Sequence, residues 1–404
     1  MNALIQPDDF PALWALMISG TALAIWLEQK YRWAARLSGP VVALLLAMSL
    51  SNTGVMPVES PAYDFVGSWL VPLAIPLLLF RANLLQIIRT TGRLLACFHL
   101  SALGTLLGAA AAYFALRGRV PSPDLEHATG IMTGSYIGGG VNFFAVTASY
   151  GVSSNITNPL IVADNFVMAG LFIILLSLAA SPFIRRHFPH PHSSGAKSGD
   201  DGALAAAQHW RRKEIGLLDL AKALAFAFVV VALASLFGRL LESAFPAASD
   251  AGLLHQTLRT LVTNKFVLLT TTSLVLATLL HKPLQHVNGP EEIGSYLLYL
   301  FLFVIGLPAD LKAVLLQAPL FFVFCAIIAL VNLVFTLAAG KLLRLPLEEL
   351  LVAVNANLGG APSAAAMAIS AGWPRLVLPG LLAGIWGYVI GTPLGVMMVE
   401  LLTR

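Results

Sequence analysis

The hydrophobic positions of this chain form long runs, and short polar segments separate them. A helix of about 20 apolar residues spans a bilayer. The runs therefore predict an all-α polytopic membrane protein with about twelve transmembrane helices (roughly 10–12). The predicted spans are residues 10–28, 38–55, 63–87, 92–115, 127–149, 159–183, 216–241, 258–281, 291–313, 317–343, 347–371 and 375–402.

One long polar segment, residues 184–215, divides the chain. We expect residues 1–183 to form a first membrane repeat with an extra N-terminal helix, and residues 216–404 to form a second repeat. The first ten residues carry no lysine or arginine. They lack the basic region of a cleaved signal peptide, so residues 10–28 are predicted to be an uncleaved helix.

Two of the apolar runs contain helix-breaking sequences. Residues 134–145 read GSYIGGGVNFFA, and residues 355–363 read NANLGGAPS. Each glycine is less favourable in a helix than alanine by about 1 kcal/mol. A break leaves backbone N–H and C=O groups unpaired, and lipid cannot satisfy them. We therefore predict two interrupted membrane helices, each with an unwound crossing, that face one central site.

The two breaks occupy matching places in the two halves. Gly138 aligns with Gly359, 221 residues later, and the same offset pairs Asn142 with Ser363. An earlier block, residues 81–84, matches residues 308–311 with an offset of 227. Interrupted segments at corresponding positions of two repeats indicate the binding site of a transporter.

The orientation of the two repeats stays open at this point. The breaks lie in the fifth and eleventh predicted spans, and an even separation favours parallel repeats. However, twelve crossings do not place the basic segments 29–37, 81–93 and 184–215 on one side of the membrane, as cytoplasmic loops require. Residues 258–281 and 291–313 are the spans whose assignment is most open to revision.

Composition excludes several classes of protein. The chain is 58% hydrophobic and 11% charged, whereas soluble domains are about 25% charged. The formal net charge of +4 forms no basic stripe, so no nucleic-acid partner is expected. Cys97 and Cys325 lie in apolar runs, and no Cys/His metal motif is present. No metal, catalytic residue or organic cofactor is predicted, and the only cofactor expectation is Na⁺ or H⁺ as a coupling ion.

Five motifs resemble the DUF819 family of bacterial integral membrane proteins. They are residues 71–84 (VPLAIPLLLFRANL), 134–143, 163–165 (ADN), 306–311 (GLPADL) and 358–360 (LGG), and the resemblance covers nearly the whole chain. It implies a distant relation to the cation/proton antiporter and anion transporter superfamily, whose members use two crossed, unwound helices. The expected location is the bacterial cytoplasmic (inner) membrane. The resemblance supplies no substrate.

Asp164 and Asn165 are the residues best suited to bind a coupling ion. An ionisable side chain inside a membrane costs about 2.5–3.5 kcal/mol on insertion scales. A carboxylate there would bind Na⁺ or H⁺, with the Asn165 amide and the carbonyl groups freed at the breaks as further ligands. The alternative is an aspartate that caps a helix near the membrane surface. The second repeat has Ile385 and Trp386 at these positions, which favours a single ion site.

Polar side chains and glycines at the breaks are candidates for binding solute or ion. Half-helix N-termini carry partial positive charge, so an anionic solute is favoured. Capping of the local backbone is the alternative role for these side chains. The candidates are Tyr136, Gly138, Gly139, Gly140, Asn142, Asn355, Asn357, Gly359, Gly360 and Ser363.

Arg81, Asn83 and Asp310 are candidates for a gate. Because they occupy matching positions in the two halves, an Arg81–Asp310 pair would join the halves. The alternative is that these charges reach water at the membrane surface. The histidines of residues 187–192 are expected in a solvated loop, and Glu400 is expected to be exposed.

These observations favour a secondary transporter of a small solute, coupled to H⁺ or Na⁺. No Walker motif is present, which argues against ATP as the energy source. The alternatives are a membrane sensor or scaffold with an occluded site, a channel, and an intramembrane aspartyl protease using Asp64 and Asp310. The expected partners are the lipid bilayer, the solute and a second copy of the chain in a homodimer.

Overall fold

The computed structural model of the protein describes residues 3–37, 39–192, 214–246, 253–308 and 311–403. Apart from one bridge between Arg117 and Val120, the regular structure of these residues is helical. Seven helices in the described ranges are long and apolar enough to cross a membrane, and a bent pair would make an eighth. The chain is therefore an all-helical membrane protein.

The helices before the polar segment are α1 (Phe10–Lys30), α2 (Arg32–Leu37), α3 (Gly39–Asn52), α4 (Pro61–Leu78), α5 (Leu84–Thr91), α6 (Arg93–Leu116), α7 (Asp124–Tyr150), α8 (Ser154–Ala180) and α9 (Pro182–Arg185). The helices after it are α10 (Leu217–Ala244), α11 (Leu253–Thr263), α12 (Lys265–Leu279), α13 (His281–Leu284), α14 (Pro290–Gly306), α15 (Leu311–Leu342), α16 (Leu347–Leu358), α17 (Gly360–Ser370) and α18 (Val377–Leu402). Residues 193–213 of the predicted linker lie outside the described residues.

Two predicted spans are interrupted at an asparagine that starts a new helix. The predicted span 63–87 ends at Leu78, and the side chain of Asn83 accepts hydrogen bonds from the first N–H groups of α5. The predicted span 258–281 is divided into α11 and α12, which meet at an angle of 60°. The side chain of Asn264 caps α12 in the same way. Asparagine favours such N-cap positions because its oxygen satisfies free backbone N–H groups.

Helices α6 and α15 pack antiparallel at very short range. A Cβ atom on Gly104 would lie 3.1 Å from Asn332 Cα, and one on Gly108 would lie 3.0 Å from Ile328 Cα. The later residue of α6 contacts the earlier residue of α15, so the two helices run in opposite directions. The close approach lets the amide of Asn332 donate a hydrogen bond of 2.8 Å to the hydroxyl of Thr105. Small residues and interhelical hydrogen bonds are the usual means of holding membrane helices together.

Helix α18 packs equally closely against the first part of α7. A Cβ atom on Gly391 would lie 2.8 Å from the carbonyl oxygen of Gly134, and one on Gly395 would lie 2.7 Å from that of Gly130. These helices are also antiparallel. Because glycine has no side chain, these positions of α18 allow the two backbones to pack in direct contact.

We predict that Gly108→Ala destabilises the protein, because the new methyl group would meet the backbone of α15. Overpacking of this kind costs about 1–3 kcal/mol. The matched control is Gly170→Ala in α8, where a Cβ atom would meet nothing within 4 Å. Thermal unfolding of the purified variants in detergent measures the difference. Equal melting temperatures for the two variants would contradict the proposed close packing.

Candidate functional site

The first glycine break reverses the direction of the chain. The rings of His127 and Tyr150 lie 5.3 Å apart, centroid to centroid. In a continuous helix these residues would be about 35 Å apart, at 1.5 Å per residue. A Cβ atom on Gly134 would also lie 3.2 Å from the side chain of Val146. Helix α7 is therefore a helical hairpin, which we call hairpin 1 (Asp124–Tyr150), with its tip at Gly138 and Gly139.

The backbone of Gly139 explains why the reversal needs glycine. Its φ and ψ angles are 69° and −170°, a region that is essentially restricted to glycine. Asn142 supports the tip from the next turn. Its amide donates a 2.6 Å hydrogen bond to the carbonyl group of Gly138, and its side-chain oxygen accepts one of 2.6 Å from Thr392. The side chain of Asn142 thus satisfies backbone at the break and joins hairpin 1 to α18.

The second break has the same form. The amide of Asn355 donates to the carbonyl group of Ser363 at 2.8 Å, and the Ser363 hydroxyl donates to the Asn355 side chain at 3.1 Å. Residues near both ends, Leu347 and Ser370, line one cavity of about 420 Å³. Helices α16 and α17 therefore form hairpin 2 (Leu347–Ser370), with its tip at Gly359 and Gly360. Asn357 is held by the carbonyl groups of Phe98 and Ala353.

The two tips lie against each other. A Cβ atom on Gly139 would lie 3.8 Å from Gly360 Cα, and Gly360 also has a positive φ of 76°. Tyr388 lies beside both glycines. The expectation that each break interrupts a helix that continues across the membrane is thus corrected. Each chain segment turns back at its break, because the positive φ angle of one glycine redirects the backbone.

A cavity of about 410 Å³ lies between the two tips and α8. Six of the twelve predicted ion- and solute-binding residues line it, together with apolar side chains: Gly139, Gly140, Asp164, Asn165, Gly359 and Ser363. The lining residues are Ser135, Gly139, Gly140, Phe143, Phe144, Ile161, Asp164, Asn165, Met168, Ala169, Phe172, Leu302, Leu358, Gly359 and Ser363.

Asp164 is the one ionisable side chain among the residues that line this cavity. Its Oδ2 atom accepts a long hydrogen bond of 3.5 Å from the hydroxyl of Ser135. Its Oδ1 atom is buried and has no hydrogen-bond partner of good geometry among the described residues. The hydroxyl of Tyr136 is likewise buried and unpaired by that criterion, although it lies beside Asp164 and Cys325. An ion or a proton at this point would satisfy oxygen atoms that the protein leaves unused.

The second arms of both hairpins begin at the cavity. Residues 140–150 and helix α17 each start at a tip, so their N-terminal ends point toward the same space. Helix N-termini carry partial positive charge and free N–H groups. The cavity therefore combines one carboxylate with two positive helix ends. The amide of Asn165, which also lines it, donates to the Ile161 carbonyl at 2.9 Å.

Of the three gate candidates, the structure describes Arg81 and Asn83. The guanidinium group of Arg81 donates to the carbonyl group of Val287 at 2.7 Å and to Asn288 at 3.4 Å. Asn83 caps α5. Asp310 lies outside the described residues, so the Arg81–Asp310 pair stays a prediction.

Two charged regions differ from expectation. His192 contacts Glu349 at 3.1 Å, and Glu349 also forms an ion pair with Arg93 at 2.7 Å, so this part of the predicted solvated loop is attached to the base of hairpin 2. Glu400 is buried and accepts a 3.0 Å hydrogen bond from Tyr150. Sequence position near a terminus did not reveal this burial, because the partner is 250 residues away.

Thr392 and the glycines of α18 were not among the predicted site residues. Gly380, Gly384, Gly387, Gly391 and Gly395 recur every three or four residues and therefore share one helix face. That spacing is a recognisable signal of close helix packing in membranes. Cys325, beside Tyr136, gave no signal, because a buried cysteine usually behaves as a small apolar residue.

Comparison with known proteins places the chain among membrane proteins. The sequence model of a family described as "Protein of unknown function (DUF819)" matches residues 15–404. A Bacillus subtilis (strain 168) protein, described as "Uncharacterized membrane protein YjcL", is 42% identical over 398 residues. The alignment covers 98% of this chain and 98% of the relative. The resemblance found in the sequence motifs is confirmed at the level of this family.

We predict that Gly139→Ala destabilises the protein by about 1–3 kcal/mol, because alanine does not tolerate the backbone conformation at the tip. The matched control is Gly140→Ala, where a Cβ atom would make only an ordinary 3.7 Å contact with Phe144. Denaturant or thermal unfolding in detergent compares the two. A Gly140→Ala variant as unstable as Gly139→Ala would contradict the assignment of the tip.

Proposed function

This chain belongs to the DUF819 family of membrane proteins, and from its paired hairpins we propose that it is a secondary transporter. It moves a small, anionic solute across the bacterial cytoplasmic membrane, coupled to H⁺ or Na⁺. The observation that carries the proposal is the meeting of two hairpin tips beside an unsatisfied carboxylate in a cavity. Transporters use such interrupted helices at their substrate sites.

We infer that the two halves are inverted repeats. Thr105 and Asn332 are separated by the sequence offset of 227, and Gly139 and Gly360 by the offset of 221. Both pairs of equivalent residues are in contact. Equivalent residues touch where a two-fold axis passes between two copies. The antiparallel packing of α6 and α15 supports an axis in the membrane plane, which is the arrangement of inverted repeats.

The hairpins also reconcile the repeats with the distribution of charge. A hairpin returns to the side from which it came, so each half loses one of its six predicted crossings. We infer about ten crossings and two re-entrant hairpins. Two crossings then separate the basic segment 29–37 from 81–93, and two more separate 81–93 from 184–215. All three segments lie on one side, as the positive-inside rule requires of the cytoplasm.

The solute and the coupling ion have distinct places in the cavity. The carboxylate of Asp164, the Ser135 hydroxyl and the Tyr136 hydroxyl offer oxygen atoms, which are the ligands that hard cations prefer. The positive ends of the two second arms attract an anionic group of the solute. The volume of about 410 Å³ lies in the usual range for small-molecule pockets.

Close packing at the corresponding place in the second half supports a single site. The offset of 221 places Gly384 and Gly387 of α18 opposite Ala163 and Phe166 of α8. A Cβ atom on Gly384 would lie 2.8 Å from the side chain of Ala361, so α18 closes onto hairpin 2 where α8 leaves space. Helix α8 has Phe166 where α18 has Gly387, and it also carries Asp164.

We predict that Asp164→Asn abolishes coupling to the ion. Purified wild-type protein should gain thermal stability on addition of Na⁺ in place of choline, or on acidification, because a bound ligand stabilises the folded state by mass action. Asp164→Asn should lose this response. Asp219→Asn, at the start of α10, is the matched control, because its side chain only caps that helix.

Flux through proteoliposomes then separates transport from sensing. Radiolabelled mono- and dicarboxylates are offered under an imposed Na⁺ or pH gradient, with the same three proteins. Gradient-dependent uptake by wild type and Asp219→Asn, and none by Asp164→Asn, is the expected result. Ion-dependent stabilisation without uptake of any tested solute would favour the sensor. Full coupling in Asp164→Asn would contradict the assigned ion site.

A further inference from the structure

A second polar pocket lies at the end of hairpin 1 that is farthest from its tip. It has a volume of about 650 Å³ and lies between the end of α6, the segment 117–122, the start of α7 and the end of α18. Its lining includes Tyr113, Arg117, Arg119, Glu126 and Thr403. Twelve helical residues, or about 18 Å, separate Glu126 from the tip at Gly138. The pocket is therefore distinct from the cavity at Asp164.

Glu126 is a buried carboxylate with an unused oxygen atom. The residue is 6% exposed. Its Oε1 atom accepts a 3.2 Å hydrogen bond from the Tyr113 hydroxyl, and its Oε2 atom has no hydrogen-bond partner within the described part of the chain. A buried oxygen without a donor is costly. A ligand that brings an N–H group to Oε2 would remove that cost.

Two arginines on the rim of the pocket offer the opposite charge. Arg117 and Arg119 are exposed, and neither forms an ion pair with any residue that the structure describes. The guanidinium group binds carboxylate and phosphate groups through paired hydrogen bonds. The first turn of α7 adds to this end, since Pro123 provides no side-chain cap for its free N–H groups.

The charges select one class of ligand. A simple cation would be repelled by the two guanidinium groups, and a simple anion by the buried carboxylate of Glu126. A ligand with both charges satisfies both. Its cationic group must donate a hydrogen bond to Oε2, which a primary ammonium does and a trimethylammonium cannot.

We propose that this pocket binds a small zwitterion, with its primary ammonium group on Glu126 and its carboxylate or phosphate group on Arg117 and Arg119. Two sources carry this chemistry. One is a free molecule of the amino-acid type. The other is the ethanolamine phosphate headgroup of a membrane lipid, since the pocket lies where spanning helices α6 and α18 end.

Matched probes test the ammonium contact. Purified wild-type protein is titrated with glycine and O-phosphoethanolamine, and with their trimethylated counterparts, glycine betaine and phosphocholine. The primary ammonium compounds should raise the melting temperature, and the trimethylated ones should need at least about tenfold higher concentration. For the lipid source, nanodiscs of phosphatidylethanolamine are compared with nanodiscs of phosphatidylcholine. Stabilisation by soluble probes alone, or by the lipid alone, identifies the source.

Variants locate the response. Glu126→Gln should lose the preference for a primary ammonium group, and Arg119→Gln should weaken binding of both acid groups about tenfold. Arg119 is exposed, so its substitution leaves the packing intact even if Glu126→Gln folds poorly. Arg89→Gln, an exposed arginine of α5, is the control. Asp164→Asn should keep the response, which separates this site from the transport cavity.

Three results would overturn the proposal. Equal stabilisation by primary and trimethylated probes would exclude the hydrogen bond to Glu126. A full response in Arg119→Gln would place the ligand elsewhere. No response to any soluble probe, together with no difference between the two lipids, would show that the pocket binds neither form of the proposed zwitterion.

Discussion

The contact between two glycine tips is the constraint on which the structure depends. Each tip interrupts a helix of a membrane protein, and lipid cannot satisfy the backbone groups that the interruption leaves unpaired. The protein resolves this by placing both interruptions in one place, with Gly139 against Gly360. Asn142 and the Asn355–Ser363 pair then satisfy the exposed backbone from within each hairpin. In the same arrangement, the N-terminal ends of the two second arms point toward one cavity. The contact between the tips therefore also creates a polar site.

Close packing on one side of the tips explains why the cavity opens on the other. The glycines of α18 bring its backbone into contact with hairpin 1 and hairpin 2. Helix α8 carries Asp164 and borders the cavity together with the two tips. One tight side and one open side therefore leave a single carboxyl group beside the tips. The Oδ1 atom of Asp164 has no hydrogen-bond partner of good geometry among the described residues, and this is where we propose that the ion binds.

Sequence patterns located the two breaks, the all-helical membrane class and six residues of the cavity, among them Asp164. They did not reveal the reversal of the chain, because a glycine triplet fits a kink and a hairpin equally well. The contact of His127 with Tyr150 decides between these, and it depends on tertiary structure. The burial of Glu400 and the attachment of His192 to Glu349 depend in the same way on distant partners. Glu126 gave no signal, because an acidic residue in the first turn of a helix is an ordinary pattern.

The hairpin arrangement is tested most directly by the side from which each hairpin base is accessible. Single cysteines replace Ser122 and Ser153, which flank hairpin 1, and they replace Leu343, which precedes hairpin 2, and Ser370 at its end. Cys97 and Cys325 are buried and give a low background. A membrane-impermeant maleimide is applied to cells and to inverted vesicles. The account predicts that Ser122→Cys and Ser153→Cys react from one side, and that Leu343→Cys and Ser370→Cys react from the other. Reaction of Ser122→Cys and Ser153→Cys from opposite sides would mean that the segment crosses the membrane, and would contradict the account.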